Sequence, residues 1–397
     1  MFQKIKTDYN HTIYACYLAY IVQAIINNFA PLLFLTFATD FILGLDQITL
    51  ITTINFLVQL FVDLISAKAI DKVGYRPALM FGHICAALGL IGMAVLPEIL
   101  SNPYVGLMVA VVLYAIGGGL MEVLVSPVVE ACPTQKKEAA MSLLHSFYCW
   151  GHVGVVLIST LFFTLFGIGC WKILACIWAL VPFVNIFYFC LVPIYPIVAE
   201  HEKLSLRKLL SQKIFWLFII LMVCAGASEQ AMSQWASAFA EAGLKVSKTM
   251  GDLAGPCAFA ILMGTSRALY GKYSEKIPLM KMMIGSAILC IACYLLTALS
   301  GSPVLSLIGC AICGFSVGIF WPGTFSLAAK KLPGGGTAMY ALMALAGDLG
   351  CSSGPTVVGM VANAFNGELT IGIICAILFP MVMLLGLSRM AKRGSGA

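Results

Sequence analysis

The chain has 397 residues, 61% of them hydrophobic and only 10% charged, with a formal net charge of +6 and a mean hydropathy of +0.99. A soluble domain carries roughly 25% charged residues, so the composition excludes a water-soluble enzyme or a nucleic-acid-binding domain and points to an integral membrane protein. The apolar segments have the length of helices, not of the roughly 10-residue alternating strands of an outer-membrane barrel.

Segments of about 20 apolar residues are needed to span hydrocarbon, because backbone groups there must pair within the segment. Such segments predict twelve spans, near 13–38, 48–67, 78–97, 104–130, 139–166, 171–195, 213–240, 251–270, 280–299, 303–329, 337–363 and 369–390. Residues 1–12 are polar and the first apolar segment is long enough to span, so it is read as a helix and not as a cleaved leader. With twelve spans, all of the 23 basic residues except Lys172, Lys245 and Lys248 fall on one side. The positive-inside rule makes that side the cytoplasm and puts both termini there.

In chain order, span one carries Gln23, Asn27 and Asn28, with Gln23 and Asn27 one turn apart on one face. Amides inside a membrane helix either bridge to another helix or face a wet cavity. Pro31 follows one turn later and predicts a bend. Span two ends in AKAIDKVGYRP (67–77), where Gly74 permits a tight turn and Asp71 and Arg76 are candidates for an ionic latch. His83, just inside span three, reads as packing. Span four places Gly118, Glu122 and Ser126 on one stripe. A carboxyl held in low dielectric is costly and can exchange a proton near neutral pH, so Glu122 is the leading candidate for a coupling group; the competing reading is a structural hydrogen bond. In span five, His145, Cys149 and His152 share a stripe. An imidazole beside Glu122 would make a proton relay or a solute clamp, while either histidine alone reads equally as structure.

Residues 196–212 are the longest hydrophilic stretch and divide a first bundle (1–195) from a second (213–397). Span seven carries Glu229, Gln230 and Gln234, with Trp235 among them; carboxylate and amides can bond hydroxyls, and an aromatic ring can pack on the C–H face of a sugar. Trp235 reads equally as an interface anchor. Arg267 lies near the inner end of span eight and Asp348 within span eleven, and the two can pair as a second latch. In span ten, Trp321-Pro322 is expected to break the helix. The fifteen cysteines are scattered through the spans, and the CxxC spacings at Cys290–Cys293 and Cys310–Cys313 lie on apolar helices, which suits small residues at helix contacts. No metal-ligand spacing, nucleotide-binding motif or catalytic triad stands out, so no cofactor, metal or enzymatic activity is expected.

The two halves echo one another. TAMYALMALAG (337–347) parallels AAMSLLHSFYC (139–149), and GTSRALYGKYSEKIPLM (264–280) is a degenerate echo of the Asp71 segment. The 67–77 segment resembles the loop between helices two and three of the major facilitator superfamily. Parallel repeats of six helices are how that superfamily is built. The resemblance implies an all-α membrane fold of twelve helices in two pseudo-symmetric six-helix bundles. It also implies a secondary active transporter that binds its solute near the midplane and works by alternating access. The run GGGLME (117–122) is similar to the span-four pattern of the fucose permease-like sugar–proton symporters, and Gly226, Glu229 and Trp235 loosely match that group's span-seven pattern. Two departures stand out: Ser126-Pro127 replaces Asn-Pro, and Asn27 and Asn28 stand where the group has an acid.

The expected function is therefore proton-coupled symport of a small polar solute, first of all a monosaccharide, by a monomer in the cytoplasmic (plasma) membrane. Sodium is the other candidate coupling ion. The expected solute-binding residues are Gln23, Asn27, Asn28, Glu122, His145, His152, Glu229, Gln230, Gln234, Trp235 and Trp321, with Glu122 first and Glu229 second in proton coupling. Asp71, Arg76, Arg267 and Asp348 are the expected latches. Two alternatives stay open: a cationic or drug-like cargo on the same fold, and a membrane receptor that does not transport.

Overall fold

The computed structural model describes residues 2–134, 137–195, 206–273, 277–332 and 336–394. Among the described residues there is no β-strand, and ten helices are long and apolar enough to cross a membrane. Two further helical rods, 248–273 and Gly336–Ala364, complete the twelve. They are the eighth and eleventh spans, which carry the breaks and polar residues described below.

Several spans are longer than their apolar cores suggest. Span two runs from Leu45 to Val73 and so carries residues 67–73 as helix, not loop. The turn comes only at Gly74, whose φ of +86° suits a residue without a Cβ. Span one (Tyr9–Asp40) is interrupted after Asn28 by a 3₁₀ turn, Ala30–Leu33, which contains Pro31. Span ten (Pro303–Lys331) is also broken, but at Gly318–Ile319 and not at Trp321-Pro322. The reason is geometric. Proline has no N–H and its ring crowds the carbonyl four residues back; for Pro322 that carbonyl belongs to Gly318. The Arg267 Nε donates to the Gly318 oxygen at 3.1 Å, so a side chain satisfies the group the proline leaves behind.

The chain divides into two compact units. The first comprises Met1–Gly44 and Ile54–Ala199, and the second Leu45–Thr53 and Glu200–Ala397. In the first unit, span three (Tyr75–Ile99) packs closely on span four (Pro103–Ala131). A Cβ on Gly117 would lie 2.5 Å from the Gly82 carbonyl, so only a small residue lets these backbones approach. Span six (Trp171–Leu191) is pinned by polar contacts. Asn185 Nδ2 donates to the Ala15 carbonyl at 3.1 Å and lies 2.8 Å from His83 Nε2, while His83 Nδ1 faces the Leu79 carbonyl at 2.7 Å. His83 thus ties spans one, three and six.

In the second unit, spans seven (Lys213–Gly243) and eleven form the corresponding seam. A Cβ on Gly226, Gly350 or Gly354 would overlap a backbone atom of the facing helix. Tyr294 donates to the Ser228 carbonyl at 2.8 Å, and the buried Trp235 donates through Nε1 to the Pro355 carbonyl at 2.9 Å. Residues 45–53 belong here too: Thr52 donates to Gln234 Oε1 at 3.4 Å, and Ser352 donates to the Thr53 carbonyl at 3.3 Å.

Candidate functional sites in the two units

The first unit concentrates its deep polar groups on spans one, two and four. Gln23 Nε2 donates to Glu122 Oε2 at 2.6 Å, a short bond of the kind a charged acceptor makes. One turn along span one, Asn27 Oδ1 accepts from Asn55 Nδ2 at 3.1 Å and from Gln59 Nε2 at 2.9 Å. Gln59 Nε2 also lies 3.0 Å from Asn55 Oδ1. Gln23, Asn27, Asn55 and Gln59 are all buried, and this interhelical amide network is held in an apolar bundle. One turn past Glu122, the Ser126 hydroxyl meets the Tyr20 hydroxyl at 3.1 Å.

His145 reaches this cluster through Tyr20, with ring centroids 5.4 Å apart. The Gln23 amide is one partner of Glu122. His152 is buried, whereas His145 is exposed, although the two share one helix stripe. Asn28 turns back on its own helix, donating to the Ala24 carbonyl at 2.9 Å. Asn55 and Gln59 carry as much of the network as Asn27 does, and the sequence reading passed over them. Their signal was legible: with Asp63 they recur every four residues along span two.

The second unit arranges its polar groups along span seven. Gln234 Nε2 donates to Gln230 Oε1 at 2.9 Å, and Gln230 Nε2 to Glu229 Oε1 at 3.3 Å. The other carboxylate oxygen of Glu229 lies 3.5 Å from the Arg267 guanidinium. Arg267 reaches Glu229 and the Gly318 carbonyl. Asp348 itself is buried, next to Gly347. The indole of Trp321 fills the space where a Cβ on Gly347 would stand, so it covers span eleven. Toward the other end of span seven, Ser237 donates to Asp252, which also pairs with Lys248 at 3.1 Å. This buried carboxylate sits where span eight enters its π-helical turn at Leu253–Cys257, and it too was missed.

Of the expected latches, Arg76 caps its own bundle. It donates to the carbonyls of Phe189, Cys190 and Val192 at 2.6–2.8 Å and so closes the C-terminal end of span six. The Asp71 side chain lies outside the described residues, as do residues 196–205 of the expected linker. The four cysteines of the CxxC spacings are buried where spans nine and ten meet, with Cys290 and Cys313 Sγ atoms 4.0 Å apart.

Among the described residues, twelve helical rods, ten of them long and apolar enough to cross a membrane, and their deep carboxylates define a multi-pass membrane protein with the build of a transporter. The Major Facilitator Superfamily profile matches residues 16–355, and the chain belongs to that superfamily, a family of transporters and not of enzymes. No curated protein sequence matches the chain. Solved structures do. The chain is similar to the E. coli fucose–proton symporter (TM-score 0.65, 16% identity, covering 95% of this chain and 97% of that one). It is also similar to a D-xylose–proton symporter (TM-score 0.76, 12% identity, 96% of each chain). A third is a bacterial homologue of the human lysosomal transporter Spinster in an inward-facing, occupied conformation (TM-score 0.76, 13% identity, 96% and 97%). At these identities the likeness is one of fold.

Proposed function

We propose that this transporter is a proton-coupled symporter of a small, hydroxyl-rich solute, a monosaccharide in the first instance, in the plasma membrane with both termini cytoplasmic. The observation that carries this reading is the 2.6 Å contact between Gln23 and Glu122 within an otherwise neutral amide network. An amide serves a carboxylate as donor and a carboxylic acid as acceptor, so Glu122 can take and release a proton without losing its partner. The surrounding amides of Gln23, Asn27 and Gln59 offer the paired donors and acceptors that sugar hydroxyls use. The fold is shared with fucose–proton and xylose–proton symporters, which favours the same solute class.

Glu229 takes a different part. Its pairing with Arg267 ties span seven to span eight and, through the Gly318 carbonyl, to the break in span ten. Gln230 and Gln234 then supply the polar contacts of the second unit. A cationic cargo, the alternative reading, would lose one of its carboxylates to Arg267. The test is uptake of a monosaccharide and amine panel into proteoliposomes, with and without an inward proton gradient. Sugar accumulation that follows the gradient supports the proposal. Accumulation of amines alone, or sugar uptake indifferent to the gradient, rejects it.

A further inference from the structure

In the second unit, span seven begins and span twelve (Leu369–Lys392) ends in a cluster of bases beside a shared seam. A Cβ on Gly386 of span twelve would stand 2.8 Å from Leu221 and 3.3 Å from Leu217 of span seven, so the two helices touch there. Lys213 lies one turn before Leu217, and Arg389 one turn after Gly386. Spans seven and twelve are five crossings apart and run antiparallel, which brings both bases to the same end. Successive residues turn by about 100°. In an antiparallel pair that rotation sets Lys213 and Ile220 on one side of the seam and Leu385 and Arg389 on that same side. All four are exposed. The short helix Leu206–Leu210 is fastened to this end: Leu209 is buried, and the exposed Trp216 donates through Nε1 to the Leu210 carbonyl at 2.9 Å. It adds the exposed Arg207.

The charge here is one-sided. Residues 206–216 and 381–394 carry six bases and no acid. Among the described residues no carboxylate pairs with Arg207, Lys213 or Arg389, whereas Arg76 holds carbonyls of span six and Arg267 holds Glu229. We infer that this face is a seat for an anionic phospholipid, with the phosphate against Lys213 and Arg389 and an acyl chain along Ile220 and Leu385. The bases continue directly into an apolar, lipid-facing surface, which suits a headgroup joined to a chain and not a soluble anion. Trp216 stands between the two, and tryptophan settles at the headgroup level of a bilayer. Anionic headgroups gather at bases on the cytoplasmic side of a membrane, with an affinity gain of about fivefold for each base. The seat depends on neither the solute nor the coupling ion; its leaflet alone rests on the proposed orientation.

The purified full-length chain in neutral detergent micelles is titrated with phosphatidylglycerol, with phosphatidylcholine of the same acyl chains, and with soluble glycerol phosphate, and its unfolding midpoint is followed. Phosphatidylglycerol alone should raise the midpoint saturably. Lys213→Gln and Arg389→Gln should each raise the lipid concentration for half of that effect about fivefold. Lys213→Arg, which keeps the charge, and Lys6→Gln, which removes an exposed base of the first unit, should leave it unchanged. The half-effect concentration separates lost binding from any change in a variant's own stability. No rise with phosphatidylglycerol, an equal rise with phosphatidylcholine or with glycerol phosphate, or a shift as large in Lys6→Gln as in Lys213→Gln and Arg389→Gln would overturn the inference. Micelles carry no gradient and no leaflet, so none of these outcomes bears on the uptake test.

Discussion

Glu122 in the first unit and Glu229 in the second are both carboxylates set in apolar bundles, and different neighbours meet them. Glu122 is held by a neutral amide at 2.6 Å, and Glu229 by a guanidinium at 3.5 Å. Glu229 also accepts from the Gln230 amide at 3.3 Å. An amide partner accommodates either protonation state, which suits the proposed coupling role of Glu122. The helix seams show no such contrast: both units use glycines where backbones cross closely, at Gly117 in one and at Gly226, Gly350 and Gly354 in the other. The repeated architecture is shared, and the chemistry is divided between the units.

The sharpest way to break this comparison is Glu122→Gln. For one proton per solute, a pH step of one unit drives about tenfold accumulation. The variant should lose all of it, uptake falling to the level without a gradient, while solute exchange at equal pH persists. Glu229→Gln losing gradient-driven uptake and Glu122→Gln keeping it would invert the assignment.

The next effect is on stability. Arg267→Ala removes the guanidinium partner of Glu229 and should cost about 3 kcal/mol, read as a lower unfolding temperature. Adding Glu229→Ala should recover part of that loss, because the unpaired buried carboxyl is gone. Strictly additive losses would show that the pair is not energetically coupled.

Smaller effects, of about 1–3 kcal/mol from overpacking, are expected from Gly117→Val and Gly350→Val. The two should resemble each other, since both force apart a close helix seam. A large effect at one and none at the other would mean that the two units are not packed on the same rule.

The smallest effect belongs to Trp235→Phe, which removes the bond from Nε1 to the Pro355 carbonyl at a cost of about 1 kcal/mol. Solute affinity should be unchanged. A fall in affinity without a fall in unfolding temperature would return Trp235 to the solute site.

Much of the fold was legible in the residues. Twelve apolar segments, the one-sided distribution of Lys and Arg and the echo between 139–149 and 337–347 are covalent features, and they require no knowledge of packing. The candidate site was legible in part. Glu122, Gln23 and Asn27 stood out because a polar group in hydrocarbon is costly wherever it points. Asn55 and Gln59 carried the same signal at four-residue spacing and were overlooked beside Asp63 and Asp71. Only the fold shows that Arg267 reaches Glu229, 38 residues earlier in the chain. Trp235 could be a sugar platform or an interface anchor from sequence, and the structure shows it buried with Nε1 on the Pro355 carbonyl of span eleven.

The sequence by itself determined the solvent, the number of helices and the depth of each polar group, because those follow from hydrophobicity and length along one axis. The tertiary structure decided which polar groups meet: Gln23 with Glu122, Gln59 with Asn27, Arg267 with Glu229 and with the Gly318 carbonyl. The physical reason is that partner choice depends on helix rotation and on seam distance. Those are set by small residues such as Gly117, Gly118 and Gly350, whose own side chains carry no chemistry at all.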